Sequence, residues 1–334
     1  MKKGNREAFG RVLQEKLVSY APFIILGLVL VIWPPFMTPY FRSMAIQILI
    51  YGIFALSLNL IFGYTGLFSL GHAAFFGAAA YTSAILTVRY GVESFWLVAP
   101  AGILMATLLA AIFGIIALRT SGVYFLFVTL ALGELLHGVA LKWRTMTGGT
   151  DGVVGIPFPD LGLPFTMSAT GFYYLVLVSF IICAFLLYRL IKSPFGYGLQ
   201  GIREDEYRMR HLGYNTWLYK YTAFVIAGLF AGVAGVLFAP SSSVVAPAHV
   251  SAMTSATVML MAIIGTTRMF FGPVIGATVI LFLQYYASIF TPERWPLILG
   301  AVYVLTIMFL RQGMGFYLLS LWSRVKCSYG SAKD

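Results

Sequence analysis

The chain is a succession of long uncharged, apolar runs broken by short clusters of charge. A bilayer core about 30 Å thick takes roughly 20 helical residues per crossing, so run length converts into spans. Residues 17–41 offer 25 uncharged positions and one span; 43–88 offer 46 and two; 94–118 offer 25 and one. Residues 120–141, interrupted only by Glu134, add one, and 161–188 add another. The 47 residues 221–267 hold two, 269–292 one, and 295–310 a last short one whose flanking Arg311 can snorkel. The pattern predicts an all-α fold, a polytopic integral membrane helical bundle of about ten spans. Gly-rich stretches can re-enter instead of crossing, which sets eight as the lower limit.

Composition agrees with this. The 334 residues are 60% hydrophobic and 10% charged, with 34 Gly and a mean hydropathy of +0.88, where soluble chains carry about 25% charged residues. The net charge of +11 and pI of about 9.6 come from basic residues clustered between the runs, so they bear on topology and not on nucleic acid. With the N-terminus inside, 17 of the 22 Lys and Arg fall on the cytoplasmic side, Arg119, Arg189, Lys192, Arg268 and Arg311 among them, and five outside. The first apolar run has no A-x-A cleavage pattern and reads as a retained helix. The polar tails and the segments 142–170 and 192–220 are too short to bury cores of their own. One membrane domain over 1–334 is expected, with 192–220 as a cytoplasmic loop within it, and any soluble motor or receptor must be another chain.

Little in the chain carries catalytic chemistry. Cys183 and Cys327 form no CxxC, zinc cluster or disulfide framework, and no P-loop is present, so no cofactor, metal or ATP site is expected. Glu134-Leu-Leu-His137 has the E-x-x-H spacing of carboxylate di-metal bundles, but such a site needs a second copy and further carboxylates, and His72, His211 and His249 sit in no such pattern. What remains is a hydrogen-bonded polar pair near a helix end, or a proton or substrate relay, since ionisable groups at membrane depth are costly.

Three stretches stand out. In Leu58–Tyr81, Gly63, Gly66, Gly71 and Gly77 recur with small residues; they permit close helix packing, or a broken helix that lines a cavity. A polar solute needs exposed backbone groups and hydroxyls to cross. The interruption from Gly63 to His72, with Thr65 and Ser69, is the best candidate for such a path, and Glu134 is a second contributor. In Thr145–Pro157, Gly148, Gly149 and Gly152 favour tight turns with positive φ and Asp151 a local cap, either as an ordered turn or as a surface that meets an external partner or the entering substrate. In Ser193–Asn215, Ile202 to Leu212 predicts one short charged helix ended by Gly213, with acids at its positive end and Arg208, Arg210 and His211 at its negative end. It reads as a solvated linker or as a lever for a partner.

These stretches carry a resemblance. Together with Thr120-Ser-Gly-Val-Tyr-Phe, Thr147-Gly-Gly-Thr-Asp-Gly152, Phe224–Gly235, Phe271-Gly-Pro-Val-Ile-Gly-Ala277 and Leu310–Gly315, they make residues 45–316 similar to the LivM-type permeases of branched-chain amino-acid ABC importers. The resemblance implies a non-catalytic half of an amino-acid path in the inner cell membrane, both termini cytoplasmic. It also implies a second permease of the LivH type, two ATP-binding subunits and an external solute-binding protein. The loop before Gly213 looks like the helix that docks on the ATPase, which puts Arg203, Glu204, Glu206, Arg208, Arg210 and Gly213 at stake. An importer of urea or short amides is the nearest variant, and an ion-coupled secondary transporter the rival from another class.

The topology is open to a direct test. Ser193→Cys and Thr150→Cys, each in an otherwise cysteine-free chain, are expected to react with a membrane-impermeant thiol reagent from opposite faces of the membrane; labelling from one side would remove the topology.

Overall fold

The structure, a computed structural model, describes residues 34–92, 94–162, 167–267 and 269–290, with four single positions between 300 and 308. Eight apolar helices make up the bundle in these residues. They are α1 (Pro39–Asn59), α2 (Ala73–Tyr90), α3 (Phe95–Ala117), α4 (Val123–Lys142), α5 (Ala169–Ile191), then, after two short loop helices α6 (Pro194–Glu204) and α7 (Glu206–His211), α8 (Thr216–Ser242), α9 (Ala252–Gly265) and α10 (Gly272–Phe290). Two strands of two residues, β1 (Val153–Val154) and β2 (Val244–Val245), pair antiparallel.

Six of these helices are long and apolar enough to cross a membrane: α1, α3, α4, α5, α8 and α10. This differs from the ten spans expected from the eight charge-free runs of the sequence. The first and the last run lie largely outside the described residues, as does Arg268. The other two expected spans are α2, rich in Ala, Ser, Thr and Tyr, and α9, only 14 residues long. Each shares its run with a segment that breaks the α-helix, 65–72 before α2 and 243–251, with a strand and one 3-10 turn, before α9, so charge-free length overcounts helix. Arg42 lies in the first turn of α1, where its guanidinium hydrogen-bonds Pro34 O (3.3 Å) and Met37 O (3.2 Å).

The centre is built by α1 and α8, in which 72% of the most apolar stretch is buried, against 22–33% in α3, α4, α5 and α10. One side of α8 is set by spacing: Gly228 and Gly232 meet Ala110 and Ala106 of α3, and Gly235 lies against Phe76 and Ala79 of α2. Without a hydrophobic drive between helices in lipid, such small-residue contacts gain packing energy through close backbone approach. On the other side, α1 runs antiparallel to α10, because Tyr40 stacks on Tyr285 near one end while Gly52 faces Val274 further along. An aromatic seam of Phe54, Phe76, Phe75 and Phe224 ties α1, α2 and α8 together.

The loops divide between two faces. One carries α6 and α7. The opposite face carries the β1–β2 pair and the contact of Phe95 N with Asp160 O (2.8 Å).

A Cβ added at Gly235 would come within 2.1 Å of the Phe76 carbonyl oxygen, a backbone atom that cannot turn away. Gly235→Ala is expected to destabilise the bundle by about 1–3 kcal/mol through overpacking, read as a lowered thermal unfolding midpoint in detergent. Gly138→Ala on α4, where nothing lies within 4 Å of the new methyl, should hold or raise it.

Candidate translocation and coupling site

The residues from Leu58 to His72 form the most irregular backbone within the bundle. After Asn59, α1 loosens into a π-helical turn at Leu60–Tyr64 and then stops. Gly66 takes φ +78°, a conformation a side chain at that position would resist. The chain then runs through Leu67–Gly71 before α2 begins at Ala73. Freed backbone groups within the bundle need partners from the protein itself, and several have them. Leu67 N donates to Ile61 O (3.0 Å), Leu70 N to Thr129 Oγ1 (3.3 Å) and Ala73 N to Ser255 Oγ (2.9 Å). Thr65 Oγ1 donates to Leu60 O (2.9 Å). Gly71 is pressed on α4 so closely that a Cβ would sit 2.1 Å from Thr129 O, and Gly133 approaches Gly71 from the same helix.

Side chains around this interruption are less well served. His72 stacks on Phe54 and shares a 2.9 Å hydrogen bond between its Nε2 and Ser57 Oγ, but its Nδ1 has no partner. The Asn59 amide and the Ser69 hydroxyl are also without hydrogen bonds, although Asn59, Ser69 and His72 are at most 1% exposed. Each such group costs about 1–3 kcal/mol relative to a satisfied one. The stretch therefore concentrates unmet polar capacity within the bundle.

Glu134 lies on α4, one turn beyond Thr129. Its Oε2 meets His137 Nδ1 at 3.1 Å, the pair expected from E-x-x-H spacing, and its Oε1 accepts from Ala252 N (2.9 Å) across 118 residues. A carboxylate is favoured there because Ala252 opens α9 and presents the positive end of its dipole. Among the described residues no group of three metal-ligating side chains occurs. Thus α4 touches both irregular segments, Gly71 before α2 and Ala252 at the start of α9, but Glu134 itself bonds the second and not the first.

At the face that carries α6 and α7, the charged helix expected over Ile202–Leu212 is two helices. Asp205 breaks it: its backbone is extended (φ −154°, ψ 93°) and its side chain accepts from Arg208 N (3.0 Å), capping α7. An acid able to cap competes with helix continuation, and here the cap wins. Gly213 takes φ +86° just past α7, and Asn215 caps α8 through Leu218 N (3.1 Å). Glu206 is tied inward: Arg210 Nη2 (2.7 Å), Lys220 Nζ and Thr216 Oγ1 (3.1 Å) all donate to it. Burial pushes the Glu206 carboxyl up, but these donors, Lys220 foremost, outweigh it and hold it below the ordinary value of 4.5. Arg208 is free of this knot and 78% exposed, and Glu204, Tyr207 and Leu212 are exposed beside it. Arg203 turns the other way. Its guanidinium donates to Gly63 O, and its aliphatic stem packs where a Gly66 side chain would be.

The structure thus joins two of the three stretches singled out in the sequence, through Arg203. The third is at the opposite face. Gly148, Gly149 and Gly152 have φ of +78°, +64° and +73°; a Cβ on Gly148 would strike Gly152 O at 2.0 Å and one on Gly152 would strike Val245 O at 2.2 Å. Asp151 is exposed and accepts from Thr150 Oγ1 (3.3 Å). Sequence reasoning missed Thr129, Ser255 and Ser57, hydroxyls within apolar runs whose only signal is being polar there, and the Lys220–Thr216 pair that anchors Glu206.

Glu206 makes the loop sensitive to acid. Because its carboxyl is held low in the folded protein, its stabilising contacts are complete above the unfolded value and are lost as pH falls through the folded one. Protection of the 206–214 amides against hydrogen exchange, relative to their intrinsic rates at each pH, is expected to fall below about pH 4, and Glu206→Gln should remove most of that dependence; protection insensitive to both would overturn the assignment.

Residues 40–308 match the family described as branched-chain amino acid transport system / permease component. The high-affinity branched-chain amino acid transport system permease protein LivM of Escherichia coli (strain K12) is 32% identical over 329 residues, covering 91% of this chain and 76% of the relative. LivM of Salmonella typhimurium (strain LT2) is 31% identical over 328 residues with the same coverage. No solved structure matches the chain. Multi-pass helices, an interrupted central helix bound to a charged loop, and similarity across nine-tenths of the chain agree, and the chain belongs to the branched-chain amino acid transport permease family.

Proposed function

We propose that this chain is one membrane half of an ATP-driven importer of branched-chain amino acids. In this reading it pairs with a LivH-type permease, two cytoplasmic ATP-binding subunits and an external solute-binding protein, in the inner cell membrane with both termini cytoplasmic. ATP hydrolysis belongs to the partner subunits. The face with α6 and α7 is then cytoplasmic, and the β1–β2 loop, with Gly148, Gly149, Asp151 and Gly152, is external.

The observation that carries the reading is the direct bond between loop and interruption. Exposed Glu204, Tyr207, Arg208 and Leu212 form the surface offered to an ATPase, while Arg203 holds Gly63 and covers Gly66. Movement of α6 and α7 by the ATPase is thereby passed to the non-helical segment 65–72, whose neighbours Asn59, Ser69 and His72 hold unmet hydrogen-bonding capacity. Opening of that segment offers amide, hydroxyl and imidazole groups to a zwitterion whose ends cannot cross bare hydrocarbon. Glu206 shapes the docking loop from within, while Arg210 and Gly213 are exposed on the same loop. Glu134 fixes the start of α9 beside the same path.

The test separates coupling from assembly. In the reconstituted complex, Arg203→Ala is expected to leave subunit co-purification and binding-protein-stimulated ATPase activity near normal while leucine uptake falls at least tenfold, and uptake by the parent should survive collapse of the proton gradient with ATP maintained. Normal uptake by Arg203→Ala would remove the coupling role; strict dependence on the gradient would remove the ATP-driven reading.

A further inference from the structure

A cleft of about 290 Å³ opens between α1 and α10, and its lining follows one rule on both helices. From α1 come Tyr40, Ser43, Met44 and Gln47, and from α10 come Leu281, Gln284, Tyr285 and Ser288. Both sets step i, i+3, i+4, i+7, a single helical face. Because the helices run antiparallel, with Tyr40 stacked on Tyr285 at 4.6 Å, the two faces look at one another across the cleft. All but Met44 and Leu281 bring a polar atom, and none is charged.

This is not a face suited to lipid. Both helices are among those apolar enough to span, yet here they align two amides, two hydroxyls and two phenols. Among the described residues the Gln47 and Gln284 amides make no hydrogen bond, while Ser288 turns its hydroxyl to Tyr285 O (2.7 Å). Uncompensated amides in hydrocarbon cost several kcal/mol, so the face requires water or a polar solute. A carboxamide suits a zwitterion: its NH₂ donates to a carboxylate and its oxygen accepts from an ammonium, with no fixed charge that would hold the solute too tightly to release. The volume is near the lower end for small-ligand sites and matches a solute of amino-acid size.

We infer that the cleft between α1 and α10 binds the zwitterionic head of a small α-amino acid at the outer end of the transport route, through the amides of Gln47 and Gln284. The inference rests on the importer reading for its cargo and for which face is external. Tyr40 begins α1 and Ser288 ends α10, so the cleft lies toward the face opposite α6 and α7, ahead of the segment 65–72. The cargo would meet uncharged amides first and the interrupted backbone afterwards.

Two measurements test it on the full chain within its complex, beginning with leucine uptake by the parent. With Cys183 and Cys327 replaced, Ser43→Cys and Ser288→Cys are each expected to react with a membrane-impermeant thiol reagent added outside, and saturating binding protein loaded with leucine should slow both reactions at least threefold. Gln47→Ala with Gln284→Ala is expected to leave the complex assembled and lower leucine uptake at least tenfold. No labelling at either position means that other protein covers the cleft, and overturns the inference. So do labelling indifferent to leucine and undiminished uptake by the double variant. If the parent takes up no branched-chain amino acid, the importer reading itself fails, which separates that outcome from failure of the cleft alone.

Discussion

The constraint on which this structure depends is that backbone polar groups at membrane depth must be satisfied by the protein itself. An unbroken helix meets it alone. The chain gives up that solution between Leu58 and His72, and much of the surrounding architecture restores it. Thr129 on α4 and Ser255 on α9 supply the hydroxyls, Gly71 and Gly133 permit the approach, and Arg203 reaches in from the loop to take the Gly63 carbonyl. Four elements distant in sequence are held together because one segment cannot hold itself.

That arrangement also explains why the loop between α5 and α8 is folded rather than slack. Asp205 ends one helix and caps the next, Glu206 gathers Lys220, Arg210 and Thr216, and Asn215 caps α8, so a short polar segment becomes a rigid body rooted in the first turns of α8. In the proposed coupling, a loop braced in this way carries a push on the exposed side of α6 and α7 to the interruption. The cost is borne at Asn59, Ser69 and His72, which are buried without full pairing, an expense proteins keep where a segment has more than one arrangement to satisfy.

The helices outside α1 and α8 present broad apolar surfaces, as with Leu104, Leu108 and Ile112 on α3 and Ile181, Ile182 and Phe185 on α5. Lipid covers such faces without penalty. Polar faces are the informative ones here, since lipid does not explain them: the amides of Gln47 and Gln284 on one side of α1, and the carboxylate of Glu134 at the head of α9.

By itself the sequence determined the class of solvent, the helical architecture, the family and the three irregular stretches, because apolar run length, charge clustering and glycine spacing are local properties that bilayer thickness converts into structure. It also anticipated the positive φ at Gly148, Gly149, Gly152 and Gly213 and the pairing of Glu134 with His137, contacts set within a turn or two of one helix or loop. Tertiary structure decided the rest. Of the ten spans expected from eight runs, two lie largely outside the described residues, and two of the rest are shorter or less apolar helices because charge-free length does not distinguish helix from the interruptions that neighbouring helices satisfy. The helix expected over Ile202–Leu212 divided because Asp205 found a cap and Glu206 found partners on α8. The meeting of Arg203 with Gly63, 140 residues away, and the presence of Gln47 and Gln284 in one cleft depend on how whole helices cross, and no periodicity in one segment records where another will lie.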